Sequence, residues 1–375
     1  MRIAILASNF IRIPPELPFI PKGYSGAPEK IMSIITEGLV KRGHDVTLFA
    51  SGDSQTSAKL ISVTDKSISM DPLIAQHLHN KFEHLLISKC YKMAQNNQFD
   101  IIHSTFDILS AYYAQLVAIP TISTLHSPLG GSVQKILSQL NDTQFYVSIS
   151  NAQRAPLPHL KYAATIYHGI DVKNFVYSES KNNGYMINVG RIMPEKGITV
   201  AINVANKLKK RLYLLGTGVE DSDFWKKDIF PHINNNVITQ VGLVNKDELN
   251  NYYANAKLFL FPIQWEEPFG LVMVESMACG TPVIAYARGS VPELIKDGET
   301  GFIVNSSDED VRGDWIIKKT GIEGLREAVE RIYAMPEDMY RKMRRACRAH
   351  TEKNFTIERM IDQYEALYTQ ILAKK

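Results

Sequence analysis

The sequence predicts an α/β protein made of two doubly wound halves, each a parallel sheet with helices on its faces. Three observations carry that expectation. Short β-branched runs alternate with longer amphipathic stretches along the whole chain, the pattern of strands joined by crossover helices. A polar stretch, Asp171 to Gly184, breaks the alternation, which then starts again. And 375 residues are more than one core of ordinary size accommodates.

In the first half the expected strands are Arg2–Ala7, Asp45–Ala50, Asp100–His103, Thr121–Leu125, Phe145–Ile149 and Ala164–Tyr167. Pro28–Arg42 places Ile31, Ile34, Ile35 and Leu39 on one face of a helix, and Gly43 follows as its stop. The polar stretch reads as an interdomain linker. After it come the strands Tyr185–Val189, Arg211–Leu215, Val237–Val241, Lys257–Phe261 and Pro282–Tyr286. A helix over Glu195–Lys209 shows Ile198, Ile202, Ala205 and Leu208 at helical spacing. The C-terminal part reads as helix, and Met339–Lys353 carries Arg341, Lys342, Arg344, Arg345 and Arg348. Such a run is expected on a solvated face rather than against anionic lipid. The domains are accordingly set at 1–168 and 185–354, with 169–184 between them and 355–375 as a final helix.

Composition narrows the function. At 45% hydrophobic and 22% charged residues the chain is globular, neither disordered nor fibrous. A net charge of +3 gives no reason to expect a nucleic-acid partner. Cys90, Cys279 and Cys347 are too scattered for a disulfide framework or a zinc site and are expected as buried thiols in a reducing compartment. The apolar run Met1–Ala7 is too short for a signal peptide, and no run approaches the roughly 20 apolar residues that cross a bilayer. A cytoplasmic location is expected.

The most informative stretch is Trp265-Glu266-Glu267-Pro268-Phe269-Gly270-Leu271-Val272-Met273-Val274-Glu275-Ser276-Met277-Ala278-Cys279-Gly280-Thr281-Pro282. Pro268 and Gly280 bracket one short helix, whose first N–H groups, near Phe269, Gly270 and Leu271, make an anion site. Glu267 precedes that terminus and Glu275 lies inside the helix, on the order of 10 Å apart along the axis. That spacing suits a ligand with phosphates at the helix end and a hydroxylated ring near each carboxylate. The two glutamates alone serve as well for a cap partner and an exposed surface residue.

The span resembles the E-x7-E signature of the family 4 glycosyltransferases, retaining enzymes of the GT-B fold, in the form EEPFGLVMVESMACGTPVIA. The rest of the chain agrees. Gly190-Arg191-Ile192-Met193-Pro194-Glu195-Lys196-Gly197 resembles the family's G-R-x(3)-E-K-G segment, whose Arg and Lys hold the donor diphosphate. A guanidinium fork and an ammonium point charge suit phosphate oxygens, although two cations beside a glutamate also make an ordinary surface network. Gly216-Thr217-Gly218 resembles the G-x-G turn, and Val241–Val244 stands where relatives lay the nucleobase against backbone. Tyr24-Ser25-Gly26-Ala27-Pro28-Glu29 is similar to the Gly-Gly-x-Glu loop over the donor phosphate, with Ser25 and Pro28 as departures, so that Gly23 or Gly26 makes the contact. His126 matches the strand-end histidine beside the transferred sugar, whereas His103 reads as structural and His168–Asp171 as hinge architecture.

The resemblance implies two Rossmann-like domains facing across a cleft, with the C-terminal helix returning to the first. It implies donor contacts from Gly26, Gly190, Arg191, Lys196, Gly216, Val244, Glu267, Phe269, Gly270, Leu271 and Glu275, and catalytic roles for His126, Arg191, Lys196 and Glu267. The expected reaction moves a hexosyl group from a nucleotide-sugar, of which a UDP-hexose such as UDP-glucose is the commonest family donor, with retention of configuration. The acceptor class is a small molecule, glycan or lipid-linked hydroxyl. No cofactor or metal is expected, because no Asp-x-Asp dyad stands at a strand end and two cations already meet the phosphates. The alternatives are a GT-B sugar-nucleotide epimerase, lacking a second strong acidic constellation, and a catalytically silent nucleotide-sugar-binding protein.

Overall fold

A computed structural model of the chain describes residues 1–16, 19–21, 24, 26–106, 108–179, 183–216, 218, 220 and 222–374. It divides into two compact units, Met1–Gly169 with Ile357–Lys375, and Ile170–Thr356. The first unit runs β1 (Arg2–Leu6), α1 (Ala27–Lys41), β2 (Asp45–Phe49), β3 (Lys59–Ile61), α2 (His79–Gln95), β4 (Ile101–Ser104), α3 (Leu109–Ala114), β5 (Thr121–Thr124), α4 (Ser132–Gln139), β6 (Phe145–Ser148) and β7 (Tyr162–Thr165). The second runs β8 (Met186–Val189), α5 (Ile198–Leu208), β9 (Leu212–Leu215), β10 (Ile238–Gly242), α6 (Lys246–Asn255), β11 (Leu258–Phe261), α7 (Leu271–Ala278), β12 (Val283–Tyr286), α8 (Val291–Leu294), β13 (Gly301–Val304), α9 (Gly321–Ala334) and α10 (Glu337–Asn354). The last helix, α11 (Ile357–Leu372), belongs to the first unit.

The sheets are ordered β3-β2-β1-β4-β5-β6-β7 and β10-β9-β8-β11-β12-β13. Every pairing is parallel, as in β1 with β4 and β8 with β11. Strands covered on both faces read as unbroken apolar runs, and Leu258-Phe259-Leu260-Phe261 is buried throughout. Two strands escape the sequence reading. β3 is three residues at a sheet edge. β13 opens on Gly301, where a Cβ would lie 1.8 Å from the Val283 carbonyl oxygen, so close strand approach demands the residue that hides the strand.

Three expectations change. The helix expected over Glu195–Lys209 begins at Ile198, because Gly197 (φ 69) takes the left-handed conformation after a single 3₁₀ turn. The stretch read as a linker packs on the second unit through residue 179. Val172 and Phe175 are buried, and Asn250 donates to the Asn174 carbonyl at 2.8 Å. The basic run of α10 is not uniformly solvated. Arg344 is fully buried and donates to the carbonyls of Ser178, Ala254 and Cys279 at 2.9, 3.0 and 3.2 Å. Arg348 donates to the Ala278 carbonyl at 2.9 Å. Two arginines thus take up orphan carbonyls at the ends of α6 and α7, where a cation also meets the negative end of the helix dipole. Arg341, Lys342 and Arg345 are exposed.

In the first unit α11 lies on α1, where Arg42 pairs with Asp362 and Glu365. Its Tyr364 and Tyr368 hydroxyls reach Thr124 and His103 at 2.9 and 2.6 Å. Cys90, Cys279 and Cys347 are free and buried.

Candidate active site

In the second sheet the strand order reverses between β8 and β11, and ligands of doubly wound sheets gather outside the carboxyl ends at such a point. β8 runs into Gly190 and the half-buried Arg191. A Cβ at Gly216, after β9, would stand 2.0 Å from the Gly190 carbonyl oxygen, so the turn after β9 nests on the turn after β8 only with a glycine at 216. Thr217 lies outside the described residues. The loops after β8 and β11 are joined directly: Gln264 N–H donates to the Glu195 carbonyl at 2.8 Å, and a Cβ at Gly197 would lie 1.8 Å from the Pro262 oxygen.

This joint brings Lys196 to Glu267. Their Nζ–Oε2 distance is 2.6 Å, with the side chains 13% and 10% exposed. The Trp265 indole N–H donates to the same Oε2 at 2.9 Å, and Lys196 Nζ stands 4.5 Å from the centre of that indole. Glu267 is therefore neither a simply exposed residue nor Lys196 a bare point charge. A pair this covered is strongly coupled, since removing one partner strands the other's charge away from water.

Glu266 next door is gripped separately. It takes Arg312 at 2.7 Å, Arg288 at 3.3 Å and the Gly289 N–H at 2.7 Å. Asp310 bridges the same arginines at 2.8 and 2.7 Å. Burial pushes the Glu266 carboxyl up, but hydrogen bonds from Arg312 and Gly289 outweigh it and hold its pKa below the ordinary value. Ser290 donates from its N–H to the Glu267 carbonyl at 2.9 Å and from its hydroxyl to the Phe269 carbonyl at 2.6 Å. The segment preceding α7 is pinned along its length.

Gly270 (φ 82) caps α7 with no side-chain cap, and a Cβ there would press on Met273 Cε at 2.6 Å and Glu267 Cγ at 3.2 Å. Gly270 and Leu271 are half-buried at the helix start, while the Phe269 ring is a core residue, 2% exposed. Glu275 sits in the buried part of α7; burial first, and its charge second, raise the Cys279 thiol to about 12. Val244 is half-covered after β10, ahead of the capping box of Asn245 and Glu248 that starts α6.

The first unit carries the remaining expected residues. His126 follows β5 and stacks on His168, centroids 5.4 Å apart. Its Nε2 is buried with no hydrogen-bond partner, and burial lowers its pKa to about 4, so the ring is neutral at pH 7. His103 is satisfied by Tyr368 and Thr124, as its structural reading requires. Gly26 (φ 61) caps α1 and has Pro15 where a Cβ would go, at 2.8 Å. Gly23 and Ser25 lie outside the described residues. Among the described residues no group of three or more His, Cys, Asp or Glu side chains is placed to hold a metal ion, and no helix is long and apolar enough to cross a membrane.

Sequence reasoning gave no role to Trp265, nor to the Glu266–Arg288–Arg312–Asp310 network. Trp265 stands two residues before Glu267 and was legible as a neighbour; the arginines arrive from 20 or more positions away, which no spacing reveals.

Comparison with known proteins adds the family. The family described as "Glycosyl transferases group 1" matches residues 170–350, and "Glycosyltransferase Family 4" matches 29–174. The chain is 24% identical over 373 residues to the N-acetyl-alpha-D-glucosaminyl L-malate synthase of Bacillus anthracis, covering 89% of this chain and 91% of that protein. It is 29% identical over 189 residues to the D-inositol 3-phosphate glycosyltransferase of Mycolicibacterium smegmatis, 46% of this chain and 41% of that one. Among solved structures, sucrose-phosphate synthase from Thermosynechococcus elongatus superposes with a TM-score of 0.76 at 20% identity over 100% of both chains. The HepE protein of Anabaena, in complex with UDP-glucose, superposes with 0.69 at 17% identity over 99% of this chain and 100% of that one. These neighbours share the GT-B arrangement of two parallel sheets with flanking helices. Because the two family models together match residues 29–350 and the Bacillus anthracis relative is matched over 91% of its length, this chain belongs to the family 4 glycosyltransferases.

Proposed function

We propose that the chain transfers a hexosyl group from a UDP-hexose, such as UDP-glucose, to a hydroxyl of a small-molecule, glycan or lipid-linked acceptor, with retention of configuration. The observation that carries this reading is the Lys196–Glu267 pair at 2.6 Å beside the start of α7, at the reversal of the second sheet. A cation, a carboxylate and a helix N-terminus within one short segment match a phosphate group linked to a polyhydroxylated ring. The UDP-glucose complex of HepE supports the donor class.

In this reading Arg191, Lys196 and the amides of Gly270 and Leu271 stabilise charge that grows on the departing diphosphate. Lys196 has three N–H donors and can hold Glu267 and a phosphate oxygen together. Glu267 accepts from sugar hydroxyls, Glu275 from the ribose, and backbone at Val244 lies along the base, with Gly190 and Gly216 leaving room for the nucleotide. The neutral His126 is assigned to a hydroxyl of the transferred sugar, and Gly26 to the donor phosphate. The bond from the anomeric carbon to the diphosphate oxygen breaks, the acceptor oxygen bonds on the same face, and the acceptor proton passes to the departing oxygen. Cations of the chain meet the diphosphate, so the proposal includes no metal, and activity in excess EDTA checks that.

The glutamates separate the parts. Glu275→Gln is expected to weaken binding of UDP alone by about tenfold, roughly one charge-assisted hydrogen bond. Glu267→Gln is expected to leave UDP affinity nearly unchanged and to slow turnover of the full donor. Calorimetry with UDP and rates with UDP-hexoses give both numbers. Equal UDP affinities in the two variants would overturn the assigned orientation.

A further inference from the structure

Both described hydrogen bonds to the Glu267 carboxylate end on Oε2, one from Lys196 at 2.6 Å and one from the Trp265 indole at 2.9 Å. We propose that Trp265 is a positioning residue that sets which donor sugar this chain accepts, by holding Oε2 so that Oε1 is presented to the sugar hydroxyls in one direction. The inference rests on the donor reading above and adds a determinant of sugar specificity to it.

Three contacts support it. A carboxylate on a glutamate arm has several rotamers, and one oxygen held from two sides fixes the direction of the other. Gly270 lies close against the same arm, where a Cβ would come within 3.2 Å of Glu267 Cγ. The indole also carries Lys196 on its face at 4.5 Å, so the same ring sets both groups. Epimeric hexoses differ in the direction of a single hydroxyl, and a buried acceptor fixed in direction discriminates such pairs by leaving the wrong epimer's hydroxyl unpaired. Trp265 touches Glu267 and Lys196, and its action on sugar passes through them.

The test uses the full chain and hexoses on one nucleotide, UDP-glucose against UDP-galactose, which differ at C4, and UDP-glucose against UDP-mannose, which differ at C2. Trp265→Phe keeps an aromatic face for Lys196 and removes the N–H. The expected result is a fall of about tenfold in the kcat/KM ratio for at least one pair, with the UDP dissociation constant and melting temperature held. Should that variant fold poorly, 3-benzothienylalanine at position 265 keeps the two-ring shape, lacks the N–H, and carries the same expectation. Ratios within twofold of the parent overturn the inference and leave the donor reading intact. Loss of UDP affinity in step with the ratio also overturns it, because the indole then supports the site as a whole. If the unaltered chain transfers from no nucleotide-sugar, the functional reading fails first and this inference with it.

Discussion

The two units share one strand order over six strands, with a seventh at the edge of the first, and furnish the carboxyl ends of those strands in opposite ways. In the first, burial drives side chains neutral: His103, His126 and His168 all have lowered pKa values. Glu83, near the end of β1, is raised to about 7 by burial against hydrogen bonds from Ser8 and Asn9. The neighbours of His103 are hydroxyls, those of Tyr368 and Thr124. In the second, Lys196–Glu267 and the Glu266–Arg288–Arg312–Asp310 network set covered carboxylates against cations. One topology therefore leaves the chemistry open, and what decides it is whether a covered titratable group meets a counter-charge or only a dipole.

The largest expected effect lies with Arg344. Arg344→Met leaves the carbonyls of Ser178, Ala254 and Cys279 without their donor, and stability of the second unit is expected to fall by about 4 kcal/mol in urea titration. Thr124→Val, which removes a hydroxyl between His103 and Tyr364, is expected to cost about 1 kcal/mol. Equal losses would erase the energetic side of the contrast.

Acid sharpens it next. The three histidines titrate below their unfolded value near 6.5, so the unfolded state takes up protons first as pH falls. Their contribution is whole above about 6.5 and is lost as pH drops toward the folded values, about 4 for His126 and about 3 for His103. Glu83 runs the other way below about 7, as does Glu29, whose carboxyl burial also raises, and the two offset part of that loss. A net loss of stability is expected for the first unit between pH 7.5 and 5. Among described residues the second unit has one lowered histidine, His350, and its lowered carboxylates Glu266, Asp310 and Glu323 act only below about 4.5. Trp225, Trp265 and Trp315 all lie in the second unit, so a melt that moves in circular dichroism but not in tryptophan fluorescence identifies the first. Parallel shifts in both signals break the comparison.

The smallest effect belongs to the exposed part of the charged network. Arg312 and Glu266 are 31% and 52% exposed, so Arg312→Ala is expected to cost about 0.5 kcal/mol at low salt and almost nothing in about 1 M NaCl. A loss that persists in high salt would mean the network holds the Glu267 segment by packing.

Most of the fold and the core of the site were legible in the chain itself. Apolar runs such as Leu258–Phe261 can be little else than covered parallel strands, and Ile31, Ile35 and Leu39 recur at the spacing of one helix face. Glu267 and Glu275 share one short segment with Gly270 and Gly280, so local geometry alone relates them. What stayed hidden depends on groups far apart in sequence. A basic run such as that of α10 says nothing of which arginine is buried, since Arg344 is drawn inward by carbonyls some 65 to 166 residues away. Gly197 ends the 3₁₀ turn in a left-handed conformation, and the Pro262 carbonyl standing where a side chain would be admits only glycine there. The sequence by itself determined two parallel α/β units and the segment that carries the candidate chemistry, because helical and strand periods and glycine turns are local. Only the tertiary structure decided which of those groups are covered and which meet a counter-charge, since both follow from loops delivered by distant parts of the chain.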